Sequence, residues 1–248
     1  MAVTVAAIAL VPGLAFGSFL NVVAARIPLR RSLVSPGSAC MSCGTSLEWY
    51  DNIPLLSFAL LRGKCRHCAA PIPWRYPLVE ATTALLIAGC VLRFGLTWDA
   101  AVGAFFCATL VAISATDIER HIIPNRIVLP AAVVVLAANT MLHPSVEWAL
   151  AGLGAALFLF VAALAYPAGM GMGDVKLALL LGAALGRTVP VAMMVGMISA
   201  LVPSVVLLAR HGKAARKMKI PFGPFLAFGG VVALFAGTTL LDLYLSLM

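Results

Sequence analysis

Long apolar runs with few charges are the feature that most constrains how this chain can fold. A helix needs about 20 apolar residues to cross the hydrocarbon core of a bilayer. Of the 248 residues, 62% are hydrophobic and 10% are charged, whereas a soluble domain carries roughly 25% charged residues. The sequence excludes a soluble globular protein. It predicts an all-α, polytopic membrane protein with eight transmembrane helices, over residues 2–25, 76–92, 100–116, 127–142, 148–166, 174–186, 188–209 and 224–246.

One sizeable polar segment interrupts these runs and suggests the domain organisation. The first run, residues 2–25, has no basic residue before its apolar stretch and is long for a signal peptide. We therefore expect it to be a retained transmembrane helix. A loop over residues 26–75 follows it, and residues 76–248 form the rest of the helical core.

The basic residues predict the orientation of the chain in its membrane. With the N-terminus outside and eight crossings, fifteen of the seventeen Lys and Arg residues fall in inner loops, and only Arg93 and Arg187 fall outside. This is the bias described by the positive-inside rule. The net charge of +8 then reflects orientation, and we expect no nucleic-acid partner.

The sixth run is the shortest, with ten residues between Lys176 and Arg187. A re-entrant segment here would move the five cations from Arg210 to Lys219 to the outside, against the charge rule. We therefore expect the sixth run to cross the bilayer.

The loop over residues 26–75 contains four cysteines in two Cys-x-x-Cys pairs with 21 residues between them. The residues are Cys40, Cys43, Cys65 and Cys68. Four thiolates at this spacing can surround one tetrahedral zinc ion. The alternative is a pair of disulfides, which requires an oxidising compartment, whereas the predicted orientation places the loop in the cytosol. Because the protein would fill all four zinc positions, we expect a structural metal.

Two of the nine acidic residues stand out by their position. Asp117 ends the third run and Asp174 opens the sixth, and both ends face the inner side. Carboxylates from two non-adjacent helices can therefore meet at one depth, and ionisable groups in a membrane are candidates for function. Glycines at positions 169, 171 and 173 leave room beside Asp174 for an extended substrate backbone.

Residue chemistry alone leaves several functions open. Two neighbouring carboxyls share a proton, so one can activate water while the other polarises a peptide carbonyl, as in an aspartic protease. Paired acids also line ion pathways, which makes a proton-coupled transporter using Asp117 and Asp174 the main alternative. A third hypothesis is a membrane-anchored zinc module that binds a partner.

Several short motifs follow one another in a fixed order along most of the chain. They are Gly17-Ser18-Phe19-Leu20-Asn21, the two cysteine pairs, Asn52-Ile53-Pro54, Arg75-Tyr76-Pro77-Leu78-Val79-Glu80, Asp117 with Ile123-Pro124-Asn125, and Gly171-Met172-Gly173-Asp174. In this order they resemble the bacterial type IV prepilin peptidases, membrane aspartic proteases with a Gly-x-Gly-Asp motif. One departure is Pro73-Trp74-Arg75, where relatives often carry a Ser before the Arg.

The resemblance implies a two-step enzyme of the bacterial inner membrane. Members remove the leader peptide of type IV prepilins or type II secretion pseudopilins on the cytosolic side, and then methylate the new N-terminal residue with S-adenosylmethionine. Carried over residue by residue, the catalytic pair is Asp117 and Asp174, and the metal ligands are Cys40, Cys43, Cys65 and Cys68. The sequence has no glycine-rich fingerprint that would locate the S-adenosylmethionine site.

Overall fold

The computed structural model describes residues 2–166, 170–212 and 220–247. Gly169 and the cations between residues 213 and 219 lie outside the described residues. Within those ranges the chain is helical and forms no β-strand beyond two isolated bridges. The α-helices are α1 (Ala2–Arg26), α2 (Leu56–Leu60), α3 (Arg75–Phe94), α4 (Trp98–Arg120), α5 (Asn125–Leu142), α6 (Glu147–Ala165), α7 (Met172–Leu185), α8 (Val189–His211) and α9 (Gly223–Ser246).

The helices confirm the predicted fold class. The described residues contain seven helical stretches that are long and apolar enough to cross a membrane, with α7 and α8 counted together as the stretch Met172–His211. The eight predicted runs correspond to α1 and to α3 through α9. The short α2 lies in the polar loop, where the sequence predicted no helix.

The first compact unit, Met1–Ala115, is built around α1 packed against α3. Two glycines of α1 bring the helices together: a Cβ at Gly13 would lie 2.7 Å from the Cα of Ala84, and one at Gly17 would lie 2.6 Å from the Cα of Glu80. Such close approach through small residues is typical of helix pairs in membranes. The cysteine loop connects these two helices within the same unit.

The second unit, Thr116–Met248, contains both predicted catalytic aspartates, Asp117 in the last turn of α4 and Asp174 in the first turn of α7. Helix α7 packs on α6, with Gly182 directly against the backbone of Ala151. On another side α7 packs on α5, where the Asn139 side-chain amide donates a hydrogen bond to the Ala183 carbonyl at 3.0 Å. Leu177, Leu180 and Leu181 of α7 are fully buried.

Helices α7 and α8 are antiparallel, although they are joined by only three residues, Gly186–Thr188. Gly223, at the start of α9, lies against Asp117, whereas Thr188, just before α8, lies against Gly237 near the other end of α9. Helix α7 starts beside the same aspartate and ends next to Thr188. Gly186 has a φ of +54°, a conformation that favours glycine, and it permits the reversal.

Candidate active site and metal centre

Asp117 is held by the start of another helix. Helix α4 continues for three residues past it to Arg120, so Asp117 lies within the last turn. Its side chain is buried, and Oδ2 accepts a hydrogen bond of 2.9 Å from the backbone N–H of Gly223, the first residue of α9. Helix N-termini carry a partial positive charge that stabilises carboxylates. A Cβ at position 223 would lie 2.8 Å from this oxygen, so only glycine leaves the carboxylate in place.

Asp174 has a similar setting in the first turn of α7. It is buried, and its Oδ2 accepts a hydrogen bond of 3.2 Å from the backbone N–H of Gly171. The backbone N–H of Asp174 in turn donates to the Gly171 carbonyl at 3.1 Å. Gly173 packs against Ile123, whose Cβ would be 3.0 Å from a Cβ at position 173. The Gly-x-Gly-Asp motif therefore orients the carboxylate and allows this tight packing.

The structure brings the two predicted aspartates together. Both line one cavity of ≈ 270 Å³. His121, Asn125 and Lys176 also line the cavity, and the Lys176 ammonium donates a 2.8 Å hydrogen bond to the Asn125 side chain. The arrangement suits proton exchange between the two carboxyls and a bound water.

Sequence reasoning missed Gly223 and His121 at this site. Gly223 lies more than a hundred residues from Asp117, so nothing local to the aspartate indicates the contact. The segment Pro221-Phe222-Gly223-Pro224 does carry a signal, because a proline at a first helical turn marks a helix start. His121 has a φ of +54°, which the sequence of the turn does not reveal.

The four predicted metal-ligating cysteines form one cluster. All four Sγ atoms lie within 4.8 Å of one another, and the Sγ atoms of Cys40 and Cys68 are 3.8 Å apart. A tetrahedral zinc ion with Zn–S bonds of about 2.3 Å places its sulphurs about 3.8 Å apart. The cluster therefore fits a zinc ion, with all four ligands supplied by the protein.

The two cysteine pairs fold in the same way, one offset from the other by 25 residues. Cys40 N–H donates to the Thr45 carbonyl at 2.9 Å, and Cys65 N–H donates to the Ala70 carbonyl at 2.8 Å. Each turn has a residue at positive φ after its second cysteine, Gly44 at +71° and Ala69 at +57°. Both turns thus present their thiols on one side, as a shared metal ion requires.

Three of the four thiols have a pKa below the usual value for cysteine. Backbone N–H groups lower the pKa of Cys40 and of Cys65, and the Thr45 side chain lowers the pKa of Cys43. Although the backbone N–H of Ala70 lowers the pKa of Cys68, desolvation and hydrogen bonds with the other three thiols raise it to about 11. Because metal ions bind thiolates, binding would release the protons that these thiols carry.

The fold and these two sites define a class: a multi-pass membrane protein with a paired-aspartate site and a four-cysteine cluster that fits a metal ion. Comparison with known proteins then places the chain more closely. The model of the bacterial peptidase A24 N-terminal domain matches residues 11–94, and that of the type IV leader peptidase family matches residues 104–208.

Curated relatives match nearly the whole chain. A prepilin leader peptidase/N-methyltransferase of Burkholderia pseudomallei is 38% identical over 94% of this chain and 85% of its own length. Proteins of the same name from Pseudomonas aeruginosa (36% identical, 94% and 91%) and Bacillus subtilis (35%, 95% and 96%) match similarly. The chain belongs to the prepilin leader peptidase/N-methyltransferase family. No solved structure gives a significant match.

Proposed function

We propose that this protein removes the leader peptide of type IV prepilins or type II secretion pseudopilins and then N-methylates the new N-terminal residue. The observation that carries the proposal is the pair of buried carboxyls, Asp117 and Asp174, in one cavity. The family match covers the segments that hold both residues. In this proposal the chain has three segments: a first transmembrane helix (1–25), a cytosolic cysteine loop (26–75) and a protease core (76–248).

Cleavage needs one carboxylate and one protonated carboxyl. The carboxylate takes a proton from water as the water oxygen attacks the scissile carbonyl, and the protonated partner donates its proton to the carbonyl oxygen. When the C–N bond breaks, the leaving amine takes up a proton and the pair returns to its starting state. The N–H groups of Gly223 and Gly171 each hold one carboxylate oxygen, which leaves the other oxygens for water and substrate.

A zinc ion held by Cys40, Cys43, Cys65 and Cys68 would be structural. The four thiolates fill a tetrahedral coordination shell and leave no position for a substrate. When bound, the ion would join the two turns of the loop, and we propose no catalytic step for it.

Methyl transfer follows cleavage at the new amino group. When bound, S-adenosylmethionine supplies its methyl group to the amine lone pair, the C–S bonding electrons return to sulphur to give the thioether, and the amine releases one proton to solvent. The protein's part is to bind the donor and the mature N-terminus side by side and to exclude water. The relatives' names include this second activity.

The proposed location is the bacterial inner membrane, with the N-terminus outside and both the cysteine loop and the aspartates at the cytosolic face. The distribution of basic residues supports this orientation. The lipid bilayer and the prepilin or pseudopilin substrates are then the partners.

The test is mass spectrometry of a prepilin incubated with the purified protein in lipid, with and without S-adenosylmethionine. We expect cleavage after the leader, plus one methyl group when the donor is present. Asp117→Asn and Asp174→Asn should each lower the cleavage rate by about a thousandfold or more, because neither can complete the proton exchange. Asp242→Asn, at an exposed residue of α9, is the matched control and should cleave normally. Substantial cleavage by either dyad variant would contradict the assignment.

A further inference from the structure

The first unit has a cavity of its own that peptide cleavage does not use. Its volume is ≈ 260 Å³, just below the range of about 300–1,000 Å³ that is common for small-molecule sites. Its walls come from the C-terminal half of α1, the cysteine loop and the first turns of α3. The polar side chains in these walls indicate what the cavity can bind.

Asn21 is one of the residues that line this cavity, and its side chain has an unsatisfied acceptor. The residue is only 4% exposed, and its amide nitrogen donates a 3.1 Å hydrogen bond to the Tyr76 carbonyl. Its Oδ1 is buried and has no hydrogen-bond partner among the described residues. Buried acceptors without a partner are rare in folded proteins, so a residue in the wall of this cavity has an acceptor that a ligand donor would satisfy once the side chain turns towards it.

Glu80 lines the same cavity and is 8% exposed. Its Oε2 accepts a 2.9 Å hydrogen bond from the backbone N–H of Leu55, and the Ser18 side chain also hydrogen-bonds to it. Leu55 has a φ of +58°, a conformation uncommon for a bulky residue. Among the described residues that line this cavity, Arg66 pairs with Asp51, and no cation pairs with Glu80.

A buried carboxylate and a buried free acceptor in one cavity favour a cationic ligand with N–H donors. S-adenosylmethionine has such groups in its ammonium, its sulfonium and its adenine amine. Arg26 also lines the cavity. Its guanidinium donates to the carbonyls of Ser32 and Gly37 at 3.1 Å each, and has further N–H donors for a carboxylate.

The walls also suit a flat heteroaromatic ring. Phe58 and Tyr76 are both part of the lining, and aromatic side chains stack on such rings. A pilin N-terminus would offer an ammonium group, but it has no adenine, and the carboxyl group of its first residue is taken up in a peptide bond. The lining therefore favours the methyl donor over the methyl acceptor.

We propose that this cavity is the S-adenosylmethionine site, with Asn21 and Glu80 binding the cationic and N–H groups and Arg26 binding the carboxylate. The inference rests on the proposed methyl transfer. Cys40 and Cys65 form part of the same wall, so the metal centre would shape the donor site without contacting the reacting methyl group.

The experiment is equilibrium dialysis of radiolabelled S-adenosylmethionine against the zinc-loaded, full-length protein in lipid, without prepilin. Wild type is compared with Glu80→Gln and Asn21→Leu, and with Glu48→Gln, a glutamate of the same loop that is exposed and outside the cavity. Zinc content and thermal unfolding show whether each variant is folded. We expect both cavity variants to bind the donor about tenfold more weakly or worse, and Glu48→Gln to bind as wild type does.

A parallel measurement uses a short peptide with a free N-terminal Phe in place of the donor. Equal donor affinity in wild type and both folded cavity variants would overturn the site. A loss confined to peptide binding would also overturn it, and would assign the cavity to the methyl acceptor. If wild type binds no donor, the site is wrong, and the prepilin assay shows separately whether methyl transfer itself occurs.

Discussion

At the scale of single residues, the candidate peptidase site depends on close contacts between its two aspartate carboxylates and the backbone of glycines. Asp117 and Asp174 each accept one backbone N–H from a glycine at the start of a helix. Position 223 has room only for glycine, because a Cβ atom there would lie 2.8 Å from Asp117 Oδ2. The carboxylate is therefore positioned by a residue that contributes only backbone.

We predict that Gly223→Ala lowers kcat for prepilin cleavage by about ten- to a hundredfold, because the added methyl group moves the Asp117 carboxylate from its position. The measurement is the cleavage rate at saturating prepilin, with thermal unfolding as the check on folding. Gly154→Ala is the control, since a Cβ there meets no atom within 4 Å. A Gly223→Ala enzyme with wild-type kcat would show that the carboxylate tolerates displacement.

The sequence predicted both aspartates and their common depth, because each lies at the end of an apolar run with an unusual local motif. It did not predict Gly223 or the cavity around Asn21 and Glu80. These depend on which helices pack together, and apolar runs of similar composition do not specify their neighbours. Asn21 in particular lies in an apolar helix, and only the packing of α1 on α3 shows that its amide oxygen is buried without a partner.

At the scale of elements, the two cysteine turns come together at four thiols that fit one metal ion. The regular elements described in the loop are three short helical segments. The Cys-x-x-Cys spacing was enough to predict this cluster, since a tetrahedral thiolate site imposes a local geometry. The short α2 between the pairs was not predictable, because five residues carry too little periodicity.

We predict about one zinc ion per chain for wild type and near-complete loss of the metal in Cys40→Ser. The loop over residues 26–75 should then become sensitive to limited proteolysis, because its two turns would no longer be joined. Cys90→Ala removes a cysteine of α3 outside the cluster and should keep the full zinc content. Metal analysis of protein purified without chelator decides the matter, and wild type without zinc would contradict the metal centre.

Helix pairing in the second unit depends on small residues. Gly182 of α7 lies against the backbone of α6 at Ala151 and Gly152, so the two helices approach as closely as their backbones allow. We predict that Gly182→Leu lowers the free energy of unfolding by about 1–3 kcal/mol or more, since overpacking forces the helices apart. Thermal unfolding in detergent measures this. Gly154→Leu, on a face of α6 with open space, should unfold as wild type does, and equal stability of the two variants would be evidence against tight α6–α7 packing.

At the scale of the whole molecule, the number of crossings depends on α7. With 14 residues, α7 spans about 21 Å at 1.5 Å per residue, less than the roughly 30 Å of a hydrocarbon core. It nevertheless runs from the aspartates to the opposite end of α9, and α8 returns. Lys176 and Arg187 lie near the two ends of α7, and their long side chains can place their charged groups at the two membrane–water interfaces.

We predict that α7 crosses the membrane, which places the C-terminus outside together with the N-terminus. Alkaline phosphatase fused after residue 248 should then be active, and green fluorescent protein fused there should be dark. Fusions at Arg31, inside, and at Val146, outside, calibrate both reporters, because their sides do not depend on α7. A fluorescent C-terminal fusion would mean that α7 is re-entrant. The cations between Arg210 and Lys219 would then lie outside, against the charge distribution that orients the rest of the chain.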